Sequence, residues 1–414
     1  MEHIIFHVDV NSAYLAWNAV WDLSHGAALD LRAVPSIVGG DPSNRHGIVL
    51  AKSTPAKDYG ILTGESLFSA LAKCPSLVIV PPRYKVYMMA SEAMVAILTR
   101  YSPILERYSI DECFLDMGAL SRAEAMELAQ TIRTVIYREL GFTVNVGIGT
   151  NKLCAKMASD FKKPNLVHTL YPEEIPEKLH PLPIDDLFMV GPAIARKLRN
   201  INIKTIRDLA RCDRKFLADQ FGKIGMIIWN FAWGNDASPV NQEGTIEAKG
   251  MGNSTTLPFD ISDPTAVHQT IRSLLETLIP RLKAAEFHTT CIAVHYTTAD
   301  FTTRRRQKQL QIQTDSMTII YDIATALFDE IWDNQPVRKI GVSFTHLKSN
   351  KVVQLSMLDF AQTQKIERLD DTVAEIRQRF GDESLIRGSF VASDIKPFSG
   401  GVDEPGYQFM NSNL

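Results

Sequence analysis

Two adjacent acids, Asp111 and Glu112, stand inside the run Tyr108-Ser109-Ile110-Asp111-Glu112-Cys113-Phe114-Leu115-Asp116-Met117. The residues on either side favour pleated, half-buried backbone, so a strand is expected to arrive at the acids and another to leave them. Neighbouring carboxylates with no base beside them repel each other and are costly unless they share a cation. An acidic hairpin turn on the surface has the same sequence, and a third acid at the same place separates the two readings. Asp9 is the candidate. It closes the β-rich run Ile4–Val10 and precedes Asn11-Ser12, a helix N-cap for Ala13 to Asp22. A strand end beside a helix start is a common place for metal or phosphate chemistry. An ordinary turn residue is the other reading of Asp9.

Cations stand at matching places. Lys163 precedes Pro164, which holds it extended and within reach of the same site. Gly149 to Ser159 is expected to be a helix with Lys152 and Lys156 at i, i+4. Lys52 precedes, and Lys57 lies within, a short helix with Pro55 at its start and Gly60 as its stop, and both are cations that could meet a phosphate. Arg304-Arg305-Arg306-Gln307-Lys308 is the densest basic run. On a sheet edge it would grip a phosphate backbone in a salt-dependent way; a solvated loop is the alternative.

These residues need elements to hold them. After Ile4–Val10 and its helix comes an insert, residues 32–80, with a strand pair at 35–40 and 47–51. A helix at 83–100, the strand–acid pair–strand, a helix at 122–140 and a strand at 142–148 follow. That order, β-insert-α-β-β-α-β, is the split βαβ of a ferredoxin-like sheet. The first strand and the central hairpin are then neighbours, which brings Asp9 to Asp111 and Glu112. Three carboxylates on adjoining strand ends make an oxygen-rich site for Mg²⁺. Two such ions support in-line phosphoryl or nucleotidyl transfer.

Residues 180–234 change character. A proline-punctuated linker leads to two turn-helix units, Val190–Leu198 and Ile201–Ala210, a helix-hairpin-helix pattern that binds duplex phosphates through helix N-termini. Residues 253–346 alternate helices (265–286, kinked or broken at Pro280, and 315–332) with strands (289–297, 307–313 and 338–347). A charged helix at 364–380 and an irregular tail from Ser389 close the chain.

With 414 residues the chain suggests roughly two to four domains. Its composition, 45% hydrophobic and 22% charged, is that of an ordinary soluble protein, and no apolar run suits a membrane span. The start lacks a basic region and cleavage site, so no signal peptide is expected. Five scattered cysteines, none in a C-x-x-C pair, argue against disulfides or zinc and for a reducing cytoplasm. The net charge of -3 leaves any nucleic-acid binding to local basic patches.

Taken together, Val8-Asp9-Val10-Asn11-Ser12-Ala13-Tyr14, Tyr108 to Glu112 with Leu115-Asp116, Asn151-Lys152-x-x-Ala155-Lys156-x-Ala158-Ser159 and Lys163-Pro164-Asn165 resemble the Y-family DNA polymerases. The resemblance is to the translesion enzymes, especially the bacterial UmuC-like and Gram-positive members, and runs from about Ile4 to about Phe390. It implies an α+β, multidomain, right-hand polymerase with a ferredoxin-like palm (1–31 and 81–168), small fingers (32–80), a helix-hairpin-helix thumb (169–238) and an α/β little finger (245–350). Residues 351–414 would hold a clamp-binding motif, a helix and a tail.

By this resemblance Asp9, Asp111 and Glu112 form the metal-binding catalytic triad for two Mg²⁺ ions, with the Val10 carbonyl as a further ligand. Tyr14 is the steric gate against a ribose 2′-OH. Lys163 and the Ala13 and Tyr14 amides bind the dNTP triphosphate. Thr54 and Lys57 stand where family members often carry Tyr-x-x-Arg; lysine offers a point charge in place of a bidentate fork. Met189 stands where the first thumb hairpin usually has a Gly-x-Gly turn. Arg304, Arg305, Arg306 and Lys308 are the DNA-binding candidates. Gln354-Leu355-Ser356-Met357-Leu358 is similar to the sliding-clamp-binding Q-L-S-L-F, with Leu358 for Phe.

The activity implied is low-fidelity, template-directed addition of dNTPs to a primer 3′-OH past damaged DNA, in repair and the SOS response. The partners implied are primer-template DNA, dNTPs and the bacterial sliding clamp, around a cytoplasmic monomer with no membrane attachment. Two rivals remain. A nucleotidyl cyclase shares the palm and paired acids but explains neither the helix-hairpin-helix region nor the Arg304 run. A DNA- and clamp-binding accessory protein would not need all three acids.

Overall fold

Alternation decides which way the first strand faces. β1 (Glu2–Val10) turns Ile4, Phe6, Val8 and Val10 into one core and sends Ile5, His7 and Asp9 to the opposite face of its sheet. The computed structural model describes residues 2–40, 47–241, 248–349, 360–391, 395–398 and 400. They fall into two compact units, mainly Met1–Gly40 with Ile48–Ile246, and Glu247–Asp403.

In the first unit β1 leads to α1 (Ala13–Ser24) and then to a small insert. The insert holds β2 (Ser36–Gly39), β3 (Val49–Lys52), α2 (Thr54–Asp58), α3 (Leu67–Lys73) and β4 (Val78–Val80). It has its own sheet, in the order β3-β2-β4, and its own core of Ile37, Val49, Ala56, Ile61, Leu67 and Ala70. Ser53 starts α2 by accepting from the Ala56 N–H, with Pro55 in the first turn as expected. The sequence reading has no counterpart for α3 and β4, which are too short to show a period.

The chain returns through α4 (Tyr84–Leu98), β5 (Leu105–Arg107), β6 (Glu112–Leu120), α5 (Arg122–Leu140), β7 (Val144–Gly149), α6 (Lys152–Asp160) and β8 (Val167–Leu170). The sheet order is β5-β6-β1-β7-β8, the expected ferredoxin-like order with one parallel edge strand, β8, added. α5 begins at a capping box of Ser121 and Glu124 and ends at Gly141 in the left-handed conformation. Trp17 from α1, Tyr87 and Met94 from α4, and Ile132 and Ile136 from α5 cover the Phe6–Val8 face. α6 covers the other face. β7 lets it come close because it carries Gly147 and Gly149. A Cβ at Gly147 would meet the Ala155 carbonyl oxygen at 1.9 Å, and one at Gly149 the Ala155 nitrogen at 2.6 Å.

Past β8, after three short non-α helical turns, come α7 (Pro192–Asn200), α8 (Ile206–Arg211), α9 (Arg214–Phe221) and α10 (Lys223–Ala232). The two expected turn-helix units are α7 and α8. In the turn before α7, Met189 has a φ of 72°, so a left-handed position usually left to glycine is filled here by a side-chain-bearing residue.

The second unit contains β9 (Gly250–Ile261), α11 (Pro264–Ala284), β10 (Phe287–Thr298), β11 (Thr303–Thr314), α12 (Met317–Ile331), β12 (Val337–Ser349) and α13 (Phe360–Phe380). Its sheet runs β11-β10-β12-β9. Val267, Ile271 and Leu274 of α11, with Ile320 and Phe328 of α12, pack on Ile292, Val294, Tyr296, Ile340 and Val342. Of the expected kink or break at Pro280, the break does not occur: α11 runs through the proline. Proline removes one N–H, and buried Leu275, Leu278, Ile279 and Leu282 hold both halves of the helix to the same core. β11 starts four residues before the expected Gln307, so the basic run lies within an edge strand. Gln354, Leu355, Met357 and Leu358 lie outside the described residues. Among the described residues no helix is long and apolar enough to cross a membrane.

Candidate active site

Register places the acids. Asp9 of β1 stands directly opposite Glu112 of β6, and the Val10 N–H donates to the Asp111 carbonyl at 3.1 Å. Directly opposed residues share one face of a sheet, with Cβ atoms about 4.5–5.5 Å apart. Asp111 lies in the turn just before β6. The Tyr108 and Ser109 N–H groups both donate to the Glu112 carbonyl, at 2.9 and 3.2 Å, which closes that turn. The Ser109 hydroxyl donates to Asp111 Oδ1 at 2.6 Å. Asp9 and Glu112 are thus cross-strand neighbours, as the strand order predicts, with Asp111 in the adjoining turn.

Three basic side chains close round them. Lys163 Nζ bonds Asp9 Oδ2 at 2.7 Å and Asp160 Oδ1 at 2.8 Å. Lys156 Nζ bonds Glu112 Oε1 at 2.9 Å. Buried His7 places Nδ1 2.7 Å from the Ser159 hydroxyl and Nε2 3.8 Å from Glu112 Oε2. The Ser159 hydroxyl donates to the Lys156 carbonyl, so its oxygen accepts from His7 Nδ1–H and turns the other ring nitrogen toward Glu112. The sequence reading assigned no site role to His7 or Lys156. A signal was present for each: His7 is two residues before Asp9, on the same face of β1, and Lys156 is one turn beyond Lys152.

Burial and charge pull the three acids apart. Burial raises Asp9; Lys163 opposes that and Glu112 adds to it. Burial also lifts Asp111 to about 6, with the Ser109 hydrogen bond opposing and the charges of Glu112 and Asp9 adding. Burial pushes Glu112 up too, but His7 and Lys156 outweigh it and hold this carboxyl below the usual range. Lys163 loses hydration on burial, yet Asp9 and Asp160 keep its pKa above the ordinary lysine value.

Among the described residues no three His, Cys, Asp or Glu side chains come close enough together to hold a metal ion. Lys163 and Lys156 bring positive charge to Asp9 and Glu112. The donor set nevertheless suits divalent cations: three carboxylates and the Val10 carbonyl are hard oxygen donors on adjoining strand ends. Glu112 Oε2 is also buried without a hydrogen-bond partner, a costly arrangement that a cation would relieve.

Beside the acids, α1 begins without a side-chain cap. Ser12 is its N-cap residue, but has a φ of 52° and makes no capping bond through its hydroxyl, unlike the cap expected from sequence. The Ala13 and Tyr14 amides lie in that first turn. The Tyr14 ring stacks on Tyr87 of α4 and meets Tyr84 edge-on. Thr54 and Lys57 are exposed at the two ends of α2, and among the described residues no hydrogen bond or ion pair joins either to the acids. Lys52 donates to the Ile61 carbonyl at 2.5 Å and so ties down its own loop. Arg304, Arg305, Arg306 and Lys308 are exposed on β11, in the second unit.

Known proteins resemble this chain over most of its length. The impB/mucB/samB family matches residues 8–160, and the C-terminal domain of the same family matches residues 248–357. DNA polymerase IV of Clostridium acetobutylicum is 45% identical over 397 residues, covering 96% of this chain and 100% of that one. DNA polymerase IV 1 of Bacillus subtilis is 33% identical over 389 residues, 93% of this chain and 92% of that one. Among solved structures, a Y-family polymerase chimera of Dbh and Dpo4 superposes with a TM-score of 0.73 at 24% identity, over 84% of this chain and 100% of that chain. At that identity the likeness speaks for the fold. Relatives that match nearly end to end, through both units, leave the cyclase and accessory-protein readings without support. This chain belongs to the impB/mucB/samB family and is a Y-family, DNA-directed DNA polymerase.

Proposed function

We propose that this polymerase performs low-fidelity, translesion synthesis from the site built by Asp9, Asp111 and Glu112. The observation that carries the reading is the β1–β6 register, which sets Asp9 opposite Glu112 with Asp111 in the adjoining turn. The family depends on divalent metal, and we assign two Mg²⁺ ions to these carboxylates and the Val10 carbonyl. Bound there, they supply the charge that activates a primer 3′-OH and neutralises departing pyrophosphate.

The remaining work falls to the chain itself. Lys156 and His7 fix the direction of the Glu112 carboxylate. Lys163, which bonds Asp9 and Asp160 beside the acids, would bind the triphosphate. The uncapped first turn of α1 offers the Ala13 and Tyr14 amides to the same phosphates. The Tyr14 ring lies under the sugar and excludes a 2′-OH. Thr54 and Lys57 belong to the fingers insert, where their exposure suits a secondary contact with the triphosphate. The basic residues of β11 hold the primer-template backbone, and Gln354 to Leu358 bind the sliding clamp of a monomeric enzyme in the cytoplasm.

Primer extension on a template carrying an abasic site, with Mg²⁺ and dNTPs, tests this. The parent should extend past the lesion, and Asp111→Ala should lose on the order of a thousandfold in rate. Equal rates for parent and variant would overturn the site.

A further inference from the structure

A second buried charge pair lies in the first unit, away from the triad. Glu106 of β5 is 2% exposed and Lys152, the first residue of α6, is 9% exposed. Lys152 Nζ stands 2.8 Å from both carboxylate oxygens of Glu106 and 4.9 Å from the centre of the Phe114 ring. A buried ion pair is weak evidence for stability, because desolvating two charges costs about as much as their attraction returns. Such a pair is better explained by something it holds in register.

What it holds is the chain leaving α10. The Asn241 N–H donates to Glu106 Oε2 at 2.8 Å, and Lys152 Nζ also donates to the Pro239 carbonyl at 3.4 Å. Between them, Val240 packs against Ile5, Phe114 and Ala155. Further back, Asn151 Nδ2 donates to the Gly234 carbonyl at 2.8 Å, and Asp236 Oδ2 accepts from the Leu153 N–H at 3.2 Å. The first turn of α6 therefore binds residues 234–241 along their length, and Asp236 satisfies one of the helix's own orphan donors. The second unit's first strand begins nine residues after Asn241, at Gly250. One turn along the same helix, Lys156 holds Glu112.

We infer that Glu106 and Lys152 form a clasp that fixes where the chain leaves the first unit, and so act as positioning residues for the second unit's grip on DNA. The inference rests on the proposed reading that β11 binds primer-template. A linked module binds with an effective concentration set by its tether, and a tether anchored to a rigid helix explores less space than a loose one.

The test uses the full chain with one dye on an exposed residue of each unit. Without DNA, single-molecule energy transfer should give a broader distribution for Glu106→Gln than for the parent. Its Kd for primer-template should rise by about three- to tenfold, the scale on which effective concentration falls when a tether loosens. At saturating DNA, kcat and the dNTP KM should stay within about twofold. Asn241→Pro removes the tether's N–H and leaves the Glu106–Lys152 pair in place, so it should repeat these effects, and it decides the matter if Glu106→Gln does not fold. Parental transfer widths and parental Kd in the folded variants would overturn the clasp, as would a fall in kcat with Kd unchanged. A triple Arg304→Ala, Arg305→Ala, Arg306→Ala chain separates the two ideas. If its Kd is parental, the β11 reading fails and the transfer widths alone judge the clasp.

Discussion

Tyr14 and Tyr87 stack with ring centroids 4.5 Å apart and planes within 5° of parallel. Tyr14 comes from the first turn of α1; Tyr87 comes from α4 and is fully buried. A half-buried ring resting on a buried one cannot tilt away without losing that contact, so Tyr87 sets the height of the proposed gate. Tyr14→Ala should lower discrimination against ribonucleotides by at least about tenfold. Tyr87→Leu should lower it by less, and Tyr87→Phe should keep it. Competing dNTP and NTP kcat/KM values check this. Parental discrimination in Tyr14→Ala would remove the gate, and parental discrimination in Tyr87→Leu alone would remove only its support.

Asp111 gives a pH dependence with a defined sign. Burial, followed by the charges of Glu112 and Asp9, raises its carboxyl to about 6, above the ordinary aspartate value. The folded, metal-free chain therefore binds this proton more tightly than the unfolded chain does. Its stability should fall as pH rises from about 4 to about 6 and level off above. Asp111→Asn should remove that fall and stabilise the metal-free protein at pH 7 by roughly 1–2 kcal/mol, after discounting for partial exposure. Divalent metal needs the ionised carboxylate, so the rise in Tm on adding Mg²⁺ should shrink below about pH 6. Thermal melts from pH 4.5 to 8, with and without Mg²⁺, check both statements. A Mg²⁺ effect equal at pH 5 and pH 7 would contradict the assignment.

How far the sequence could be read depended on the kind of feature. Alternation along Ile4–Val10 and the α-β-β-α-β order were enough to bring Asp9 to Asp111 and Glu112, because strand neighbours follow from topology. His7 was within reach of the same reasoning, one alternation before Asp9 on the same face of β1. The Glu106–Lys152 clasp could not be read at all. Its members are 46 positions apart and meet Asn241 only once α6 has settled on Gly147 and Gly149. At Pro280 the local rule about one N–H left open whether α11 would break, and the core that holds both halves decided against a break. Side-chain facing along the basic run was likewise invisible until β11 had a partner strand.

That facing divides the basic run. β11 pairs Arg305 with His295 of β10, and pairs Arg304 with Tyr296 and Arg306 with Val294. Tyr296 and Val294 point into the helix-covered core, so Arg304 and Arg306 lie on that side of the edge, where Asp333 and Glu330 bind them at 2.5 and 3.2 Å. Arg305 lies on the opposite face with His295 and Lys339, whose partners across the sheet include Gly341, Ser254 and Thr256. Burial first, then the charges of Lys339 and Arg305, lowers the pKa of His295. A small-residue face with two cations can lie close to a phosphate backbone, whereas Arg304 and Arg306 must first give up an acid. Arg305→Ala should therefore weaken primer-template binding more than Arg304→Ala, and should reduce the slope of log Kd against log salt by about one. Titrations between 50 and 200 mM salt, roughly the range over which phosphate contacts dominate, measure that slope. An Arg304→Ala loss equal to or larger than that of Arg305→Ala would place the DNA on the other side of the edge strand.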